Sequence, residues 1–587
     1  MCGIFGCVGK MHKNETVECI NRIAHRGPDA LEVQELEGAV LAHARLSILD
    51  TSDQANQPMS DPSGRYWIVY NGEIYNYLEL REELEQLGYH FKTEGDTEVA
   101  LYSYIEWGID FQEKCNGMWG LAVWDDVKKE LFLSRDRFGV KPLYYFEQDS
   151  NFYFASEMKA FFPIMKERKI NYTIFDKRDY FSYEATLNCC IKGIKKLQSG
   201  HYGLFTDGHL ELHKWWSTIE HLMETPRSYE EQVELLRELF LDACRIRMRS
   251  DVPVGTALSG GVDSSAVVGA MNYISQTGGR NISQDWQHVF VASMPGTSID
   301  ETRYASMAAE HIGLDIQKVM THADISEKQL LKYIYMCEDP YLACPVACMQ
   351  TYENISKHGI KVTVDGHGAD ELFGGYEFDL LYAVLDDKSN SSRMWEIWET
   401  YNNITEPEYQ MSYDEFLYRA GRIKMPEDMD VDTLDSFNRR LYVQTHRLVL
   451  PNLLRCYDRY SMANGVEIRM PFLDYRVVCF AFSIPWSSKM KEKYTKKIVR
   501  DMAAPYMSHD VLYRNIKLGF NSPMTEWLQG DMKELILDTI HSQDFYECEL
   551  FNPLDVSITV HEFYKREKKI YTDGETVQKE WSRKKAV

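Results

Sequence analysis

Two sets of residues in this 587-residue chain carry groups that could do chemistry. The first begins at Cys2, preceded by Met1 alone. A small second residue favours removal of the initiator methionine, which would leave Cys2 with a free α-amine. That amine, with an ordinary pKa of about 8, can take the proton of its own thiol and leave a nucleophilic thiolate. Four polar clusters keep it company: Arg26-Gly27-Pro28-Asp29, His43-Ala44-Arg45-Leu46-Ser47-Ile48, Asn71-Gly72-Glu73-Ile74-Tyr75-Asn76 and Glu94-Gly95-Asp96-Thr97-Glu98, expected in loops or at strand ends. An arginine clamps a carboxylate bidentately, an acid holds an ammonium, and an asparagine amide beside a glycine N–H makes an oxyanion hole. Glutamine presents a partner for all three.

The second set is Leu258-Ser259-Gly260-Gly261-Val262-Asp263-Ser264-Ser265. It follows an apolar, strand-like run and is expected to open a helix near Ser265-Ala266. Two glycines let backbone N–H groups approach an anion, hydroxyls add donors, and a helix N-terminus adds its dipole. Asp263 is out of place in a pure anion site and makes sense if Mg²⁺ bridges it to phosphate oxygens. The Gly-Lys-Ser/Thr ending of the Walker loop is missing; the pattern matches the loop of enzymes that cleave ATP between its α and β phosphates.

These residues need a scaffold, and the chain supplies two kinds. Its first ~200 residues read as an α+β domain with short strands at Ala39 to Leu49, Tyr66 to Tyr70, Trp119 to Trp124, Leu131 to Arg135, Leu143 to Tyr145 and Phe152 to Ser156, and helices at Leu78 to Leu87 and Glu98 to Trp107. From Tyr229 onward the helical period dominates, as in Glu230 to Met248, with β-type runs at Thr256 to Leu258, His288 to Ser293 and Val362 to Val364. Strand, glycine turn and helix in repetition imply a parallel sheet covered on both faces. The expected division is 1–210, a linker at 211–228 that includes Pro226, and 229–587, with helical embellishment in the acidic, aromatic stretch 386–435. Basic runs at Lys565-Arg566-Glu567-Lys568-Lys569 and Arg583-Lys584-Lys585 are expected as solvated faces or a frayed tail.

Composition bounds the function. Hydrophobic residues at 44% and charged residues at 26% describe a globular protein. A net charge of −24 argues against nucleic acid as a partner, because phosphate would be repelled over most of the surface. No signal peptide and no membrane-spanning run is evident, so a cytoplasmic location is expected. The 13 cysteines, an odd number, fit reduced thiols. Neither the adjacent Cys189-Cys190 nor the Cys344/Cys348 pair has a second pair or histidine at zinc-ligand spacing.

Cys2 to Gly6, the four clusters, the run Ser134-Arg-Asp-Arg-Phe-Gly-Val-Lys-Pro-Leu-Tyr144 and the phosphate loop together resemble the glutamine-hydrolysing asparagine synthetase family. The resemblance resumes at Asp365-Gly-His-Gly-Ala-Asp-Glu-Leu-Phe-Gly-Gly-Tyr376, at Asp458-Arg-Tyr-Ser-Met-Ala through Pro471-Phe-Leu-Asp474, and at Lys517-Leu-Gly-Phe520. It implies an N-terminal-nucleophile αββα sandwich, followed by an α/β adenine-nucleotide α-hydrolase-like domain with a parallel sheet and extra helices. It implies a homodimer, ATP and Mg²⁺, and a tunnel carrying ammonia between two sites. By motif, Cys2 is the implied nucleophile, Asn71 and Gly72 the oxyanion donors, and Arg45, Glu73 and Asp96 the glutamine-binding residues. Leu258 and Ala292 flank the adenosine; Ser259, Gly260, Gly261, Asp263, Ser264 and Ser265 hold the phosphates, with Gly366 nearby; Asp263 and Asp370 bind metal; Lys517 stabilises charge at the reacting carboxylate or leaving pyrophosphate.

The chain departs from the family pattern at Gly366-His367-Gly368, where asparagine makers usually carry a glutamate in place of His367, and at Asp365, where a serine is common. Histidine can act as a base near neutral pH, but it supplies no fixed negative charge for the ammonium of aspartate. The acceptor therefore stays open between aspartate and another carboxylate, such as a sugar uronate of surface-polysaccharide biosynthesis. A non-catalytic homologue and an enzyme closing an intramolecular amide are further alternatives, and the intact Cys2, Asn71, Asp96, Asp263, Asp370 and Lys517 weigh against the former.

Overall fold

The computed structural model describes residues 2–175, 182–339, 344–386, 390–425, 431–515 and 522–565. Lys517, Met1 and the basic run 583–585 lie outside them. Twelve strands build the first part: β1 (Gly3–Val8), β2 (Ala30–Leu36), β3 (Ala39–Arg45), β4 (Met59–Ser60), β5 (Tyr66–Ile74), β6 (Gly117–Asp125), β7 (Glu130–Arg135), β8 (Tyr144–Gln148), β9 (Asn151–Ala155), β10 (Lys195–Lys196), β11 (His201–Thr206) and β12 (His209–Lys214). They form two antiparallel sheets of six, ordered β10-β8-β9-β1-β3-β2 and β12-β11-β7-β6-β5-β4.

Period-two side-chain alternation stacks these sheets. On β1, Ile4 points between the sheets and Phe5 and Cys7 point outward; on β5 and β6, Val69, Ala122 and Trp124 point inward and Ile68, Tyr70, Leu121 and Val123 outward. The outer face of the first sheet is covered by the helix Lys13–Asn21 through Cys19 and Ile20. The outer face of the second is covered by the helices Tyr77–Gln86 and Asp96–Trp107 through Leu80, Leu84 and Val99 to Tyr102. Helix, sheet, sheet, helix is the αββα sandwich. Each fully buried aliphatic or aromatic side chain contributes about 1.5–3 kcal/mol, so the layer of Ile4, Leu41, Val69, Leu131 and Leu133 between the sheets binds them.

After Lys214 the next long helix is Tyr229–Arg247, and the architecture changes. Strands β13 (Val254–Ala257), β14 (His288–Ser293), β15 (Ile316–Met320), β16 (Val362–Val364) and β17 (Glu467–Arg469) form a parallel sheet in the order β15-β14-β13-β16-β17. The chain runs outward from β13 in one direction and then returns to add β16 and β17 on its other side, so the strand order reverses beside β13. In open parallel sheets this is where ligands bind, beyond the carboxyl ends of the strands. The stretch 386–435 is helical where described, in Ser391–Ile404 and Tyr413–Ala420. Among the described residues no helix is long and apolar enough to cross a membrane.

Two local expectations change. Asn71, Gly72 and Glu73 lie inside β5, which runs four residues past Tyr70, because β6 continues to pair with it through Gly117. The helix after the glycine loop that follows β13 begins at Val262, with Gly261 as its N-cap, so Asp263, Ser264 and Ser265 occupy its first turn and not the loop before it.

Candidate active site

The first centre forms where the sheets meet. Cys2 precedes β1, an interior strand of its sheet, and its N–H donates to Asn71 Oδ1 on β5 of the other sheet at 3.0 Å. Asn71 is fully buried, and its Nδ2 has no hydrogen-bond partner among the described residues. A buried amide donor left unspent is costly, and one fixed beside a thiol suits a developing oxyanion. Gly72 has no room for a side chain, since a Cβ would lie 2.2 Å from Met118 O. Burial pushes the Cys2 thiol up; the chain N-terminus and the Leu46 N–H pull it down.

Three buried carboxylates stand nearby. Asp96 opens the helix Asp96–Trp107, and its Oδ2 accepts from Tyr70 Oη at 2.8 Å and the Ile74 N–H at 2.9 Å. Glu73 Oε2 meets Arg469 Nη2 at 3.1 Å, and Glu467 Oε1 accepts from Arg469 Nε at 2.5 Å. Burial pushes Glu73 well above the usual carboxylate range, against the pull of Arg469. An α-ammonium placed among these three acids would favour their ionised forms, as Arg469 already does for Glu73 and Glu467. Arg45 is placed differently from the expectation of a free carboxylate clamp. Its Nη1 donates to Ser52 O and Asn56 Oδ1, each at 2.7 Å, and its Nη2 to Asp50 O, so both Nη atoms serve the loop after β3.

The second centre is a cavity of about 480 Å³ at the strand-order reversal. It is lined by Leu258, Ser259, Gly261, Asp263 and Ser264 after β13, by Ala292 on β14, and by Gly366, His367 and Asp370 after β16. Ser259 Oγ and Ser264 Oγ lie 3.0 Å apart, and the Gly261 N–H donates to Ser259 Oγ at 3.3 Å, closing the loop on itself. Ser265 Oγ is buried without a hydrogen-bond partner among the described residues. Gly366 lets two loops touch: a Cβ there would sit 2.6 Å from Ser264 N. Gly260 has a φ of +77° and would place a Cβ 2.5 Å from Ala305 N. Gly260→Ala is therefore expected to strain the loop by about 1–3 kcal/mol from the backbone conformation alone; a lower melting midpoint and weaker ATP binding check this, and wild-type values for both would refute it.

Asp365 accepts from the Ala257 N–H at 2.9 Å and Tyr352 Oη at 3.0 Å, tying β16 to β13, and burial raises its carboxyl to about 6. The His367 ring packs on Tyr457 with centroids 4.0 Å apart, and its Nδ1 is buried with no hydrogen-bond partner among the described residues. Burial lowers its pKa to about 4 despite the charge of Asp370. The imidazole is neutral at pH 7, a weaker base than the sequence suggested.

Between the two expected metal ligands the structure places an ammonium. Lys496 Nζ lies 2.6 Å from Asp263 Oδ2 and 2.5 Å from Asp370 Oδ1. Two carboxylates that share one cation fit Mg²⁺, which takes one or two protein carboxylates and completes its shell with phosphate oxygens and water. Lys496, Arg500 and Arg514 also line the cavity and escaped the sequence reading. Lys496 carried one signal: it is the N-cap of the helix Lys497–Ala503, with a left-handed φ of +51°, a poor position for a cation. Local rules broken this way mark functional sites.

Comparison with known proteins now adds to this geometry. Residues 1–216 match the glutamine amidotransferase domain model, and residues 235–586 match the asparagine synthase model. The chain belongs to the asparagine synthase family. It is an asparagine-synthetase-type glutamine amidotransferase, a carbon–nitrogen ligase. Among its relatives in the family, asparagine synthetase [glutamine-hydrolyzing] 1 of Bacillus subtilis (strain 168) is 30% identical over 92% of this chain and 90% of its own. Asparagine synthetase [glutamine-hydrolyzing] 3 of the same organism is 29% identical, with 92% of each chain covered. Amidase chry2 of Gibberella zeae is 27% identical over 89% of this chain and 87% of its own.

Proposed function

We propose that this chain hydrolyses glutamine at Cys2 and uses the ammonia, with ATP, to amidate a carboxylate. Supporting this above all is the unspent Asn71 amide, held beside Cys2 by the hydrogen bond that its own Oδ1 accepts. Met1 must be removed for the Cys2 amine to act as base. The thiolate attacks the glutamine amide, Asn71 and Gly72 stabilise the tetrahedral oxyanion, and ammonia leaves; water then releases glutamate from the thioester. Asp96 and Glu73 hold the α-ammonium, and Arg45 takes the α-carboxylate by giving up part of its hold on the loop after β3.

In the cavity, Leu258 and Ala292 flank the adenosine and the 259–265 loop holds the phosphates. The acceptor carboxylate attacks the α-phosphorus, and pyrophosphate leaves. Ammonia then attacks the acyl carbon of the adenylate, and AMP leaves. Asp263 and Asp370 would hold Mg²⁺, whose charge offsets that of the phosphates. Lys496, whose Nζ lies between the same two carboxylates, would yield that point to the metal and add its charge beside the phosphates, and Lys517, outside the described residues, is proposed to do the same for the leaving group. Enclosed transfer of ammonia keeps it from protonation in water.

The acceptor is aspartate, giving asparagine, or a non-aspartate carboxylate such as a sugar uronate. The neutral His367, its ring tilted against Tyr457, favours the second, since it offers an ammonium no counter-charge. Pyrophosphate release with ATP and glutamine should be measured across aspartate, free uronates and nucleotide-linked uronates. Turnover with a uronate above that with aspartate is expected; robust turnover with aspartate alone would reverse the preference. No turnover with any carboxylate would refute the ligase reading.

A further inference from the structure

Cys2 is pinned at both of its backbone polar groups, and the two pins come from different parts of the molecule. Its N–H is held by Asn71, within the sandwich. Its carbonyl accepts from Arg26 Nε at 3.1 Å, and Arg26 is fully buried. The rest of that guanidinium closes on two carboxylates. Nη1 meets Glu157 Oε1 at 2.6 Å and Asp458 Oδ2 at 2.8 Å, and Nη2 meets Asp458 Oδ1 at 3.0 Å. Asp458 therefore grips the arginine bidentately from 432 residues away in sequence.

Asp458 sits on the helix Leu450–Met462. One face of that helix carries Leu453 and Tyr457 into the wall of the nucleotide cavity, where Tyr457 meets His367. Its other face presents Arg455, Asp458 and Arg459 to the sandwich: Arg455 Nε lies 2.7 Å from Glu184 Oε1, and Arg459 Nη1 lies 3.5 Å from Glu157 Oε1. The helix thus touches the cavity with one residue and the Cys2 clamp with the next. Side chains with a single buried, ion-paired arrangement transmit small shifts instead of absorbing them.

We propose that Asp458 is a positioning residue for the glutaminase reaction: through Arg26 it fixes the Cys2 carbonyl and hence the aim of the thiolate, so the synthetase half completes the glutaminase site. Arg26 and Asp458 do not enter the glutamine-binding set, so the effect belongs in kcat for glutamine hydrolysis and not in KM. The inference rests on Cys2 as nucleophile.

The test is Asp458→Asn in the full-length protein, an isosteric change that removes the charge. Small misplacement of a reacting group can cost up to 100-fold; a fall in glutaminase kcat of about tenfold or more is expected, with KM for glutamine unchanged and pyrophosphate release from added ammonium within about twofold of wild type. Alkylation of Cys2 by a chloroketone analogue of glutamine should slow in parallel. An unchanged glutaminase kcat, or equal loss of both activities, overturns the proposal. Should Asp458→Asn fail to fold, Arg26→Lys keeps a cation opposite Asp458 and drops the Nε contact to Cys2, with the same expected split. Hydrolysis of glutamine by Cys2→Ala would instead refute the reading of Cys2; Cys2-dependent hydrolysis indifferent to Asp458 would overturn this inference alone.

Discussion

Cys2→Ala is expected to abolish glutamine use while leaving synthesis from added ammonium intact. The nucleophile is the one group that the rest of the first centre cannot replace. In the proposed reaction Asn71 and Gly72 would stabilise charge only after attack, and Asp96, Glu73 and Arg45 would hold the substrate. Losing a covalent nucleophile costs on the order of 10⁴–10⁶ in kcat. Folding should survive, because the substitution exchanges a small, buried thiol, 7% exposed, for a smaller apolar group and leaves the backbone N–H to Asn71 in place. Glutamate release and pyrophosphate release measured in parallel check this, the latter with ammonium at alkaline pH, where more of it is free ammonia. Loss of both activities in a folded variant would show that the two centres do not divide the labour in this way.

Lys496→Met should do the reverse: pyrophosphate release falls about 10²–10³-fold, the range for removing one preformed electrostatic group at a reacting centre, and glutamine hydrolysis persists. The ammonium stands within 2.6 Å of both Asp263 and Asp370. Burial alone would lower its pKa, and the two carboxylates more than compensate, so Lys496 stays charged. Methionine keeps most of the volume and removes the charge, leaving two acids facing the place where phosphates must sit. Removing one partner of a fully buried ion pair costs about 3–5 kcal/mol; the cost here is smaller because both aspartates border the cavity. Lys496→Arg should rescue poorly, since a guanidinium spreads over a planar fork the charge that a compact ammonium concentrates at one point. Undiminished pyrophosphate release from Lys496→Met would remove Lys496 from the phosphate chemistry.

These expectations draw on features that differ in how far the sequence reveals them. The phosphate loop was legible because its chemistry is contiguous: β13, two glycines and a helix start follow one another in the chain, and backbone geometry does the rest. Six strands of the sandwich, β3 and β5 to β9, were legible from side-chain alternation, with ends shifted by a few residues; β1, β2, β4, β10, β11 and β12 were not placed. The largest shifts, four residues each, were on β3, which ends at Arg45 and not Leu49, and on β5, where pairing to β6 carried the strand through Asn71, Gly72 and Glu73. No local rule marks that extension, because a polar residue and a glycine both disfavour a strand.

By itself, then, the sequence determined the family, the scaffold class of each part, and the local strand-loop-helix geometry around each motif. Tertiary structure alone decided which distant charges complete them: Lys496 between Asp263 and Asp370, Arg469 between Glu73 and Glu467, Asp458 on Arg26. The physical reason is that periodicity and turn chemistry act over a few residues of chain, whereas a buried charge must find an opposite charge wherever the fold brings one. Along the chain, Asp263 and Lys496 are 233 residues apart and Arg26 and Asp458 are 432 apart. Only packing makes them neighbours.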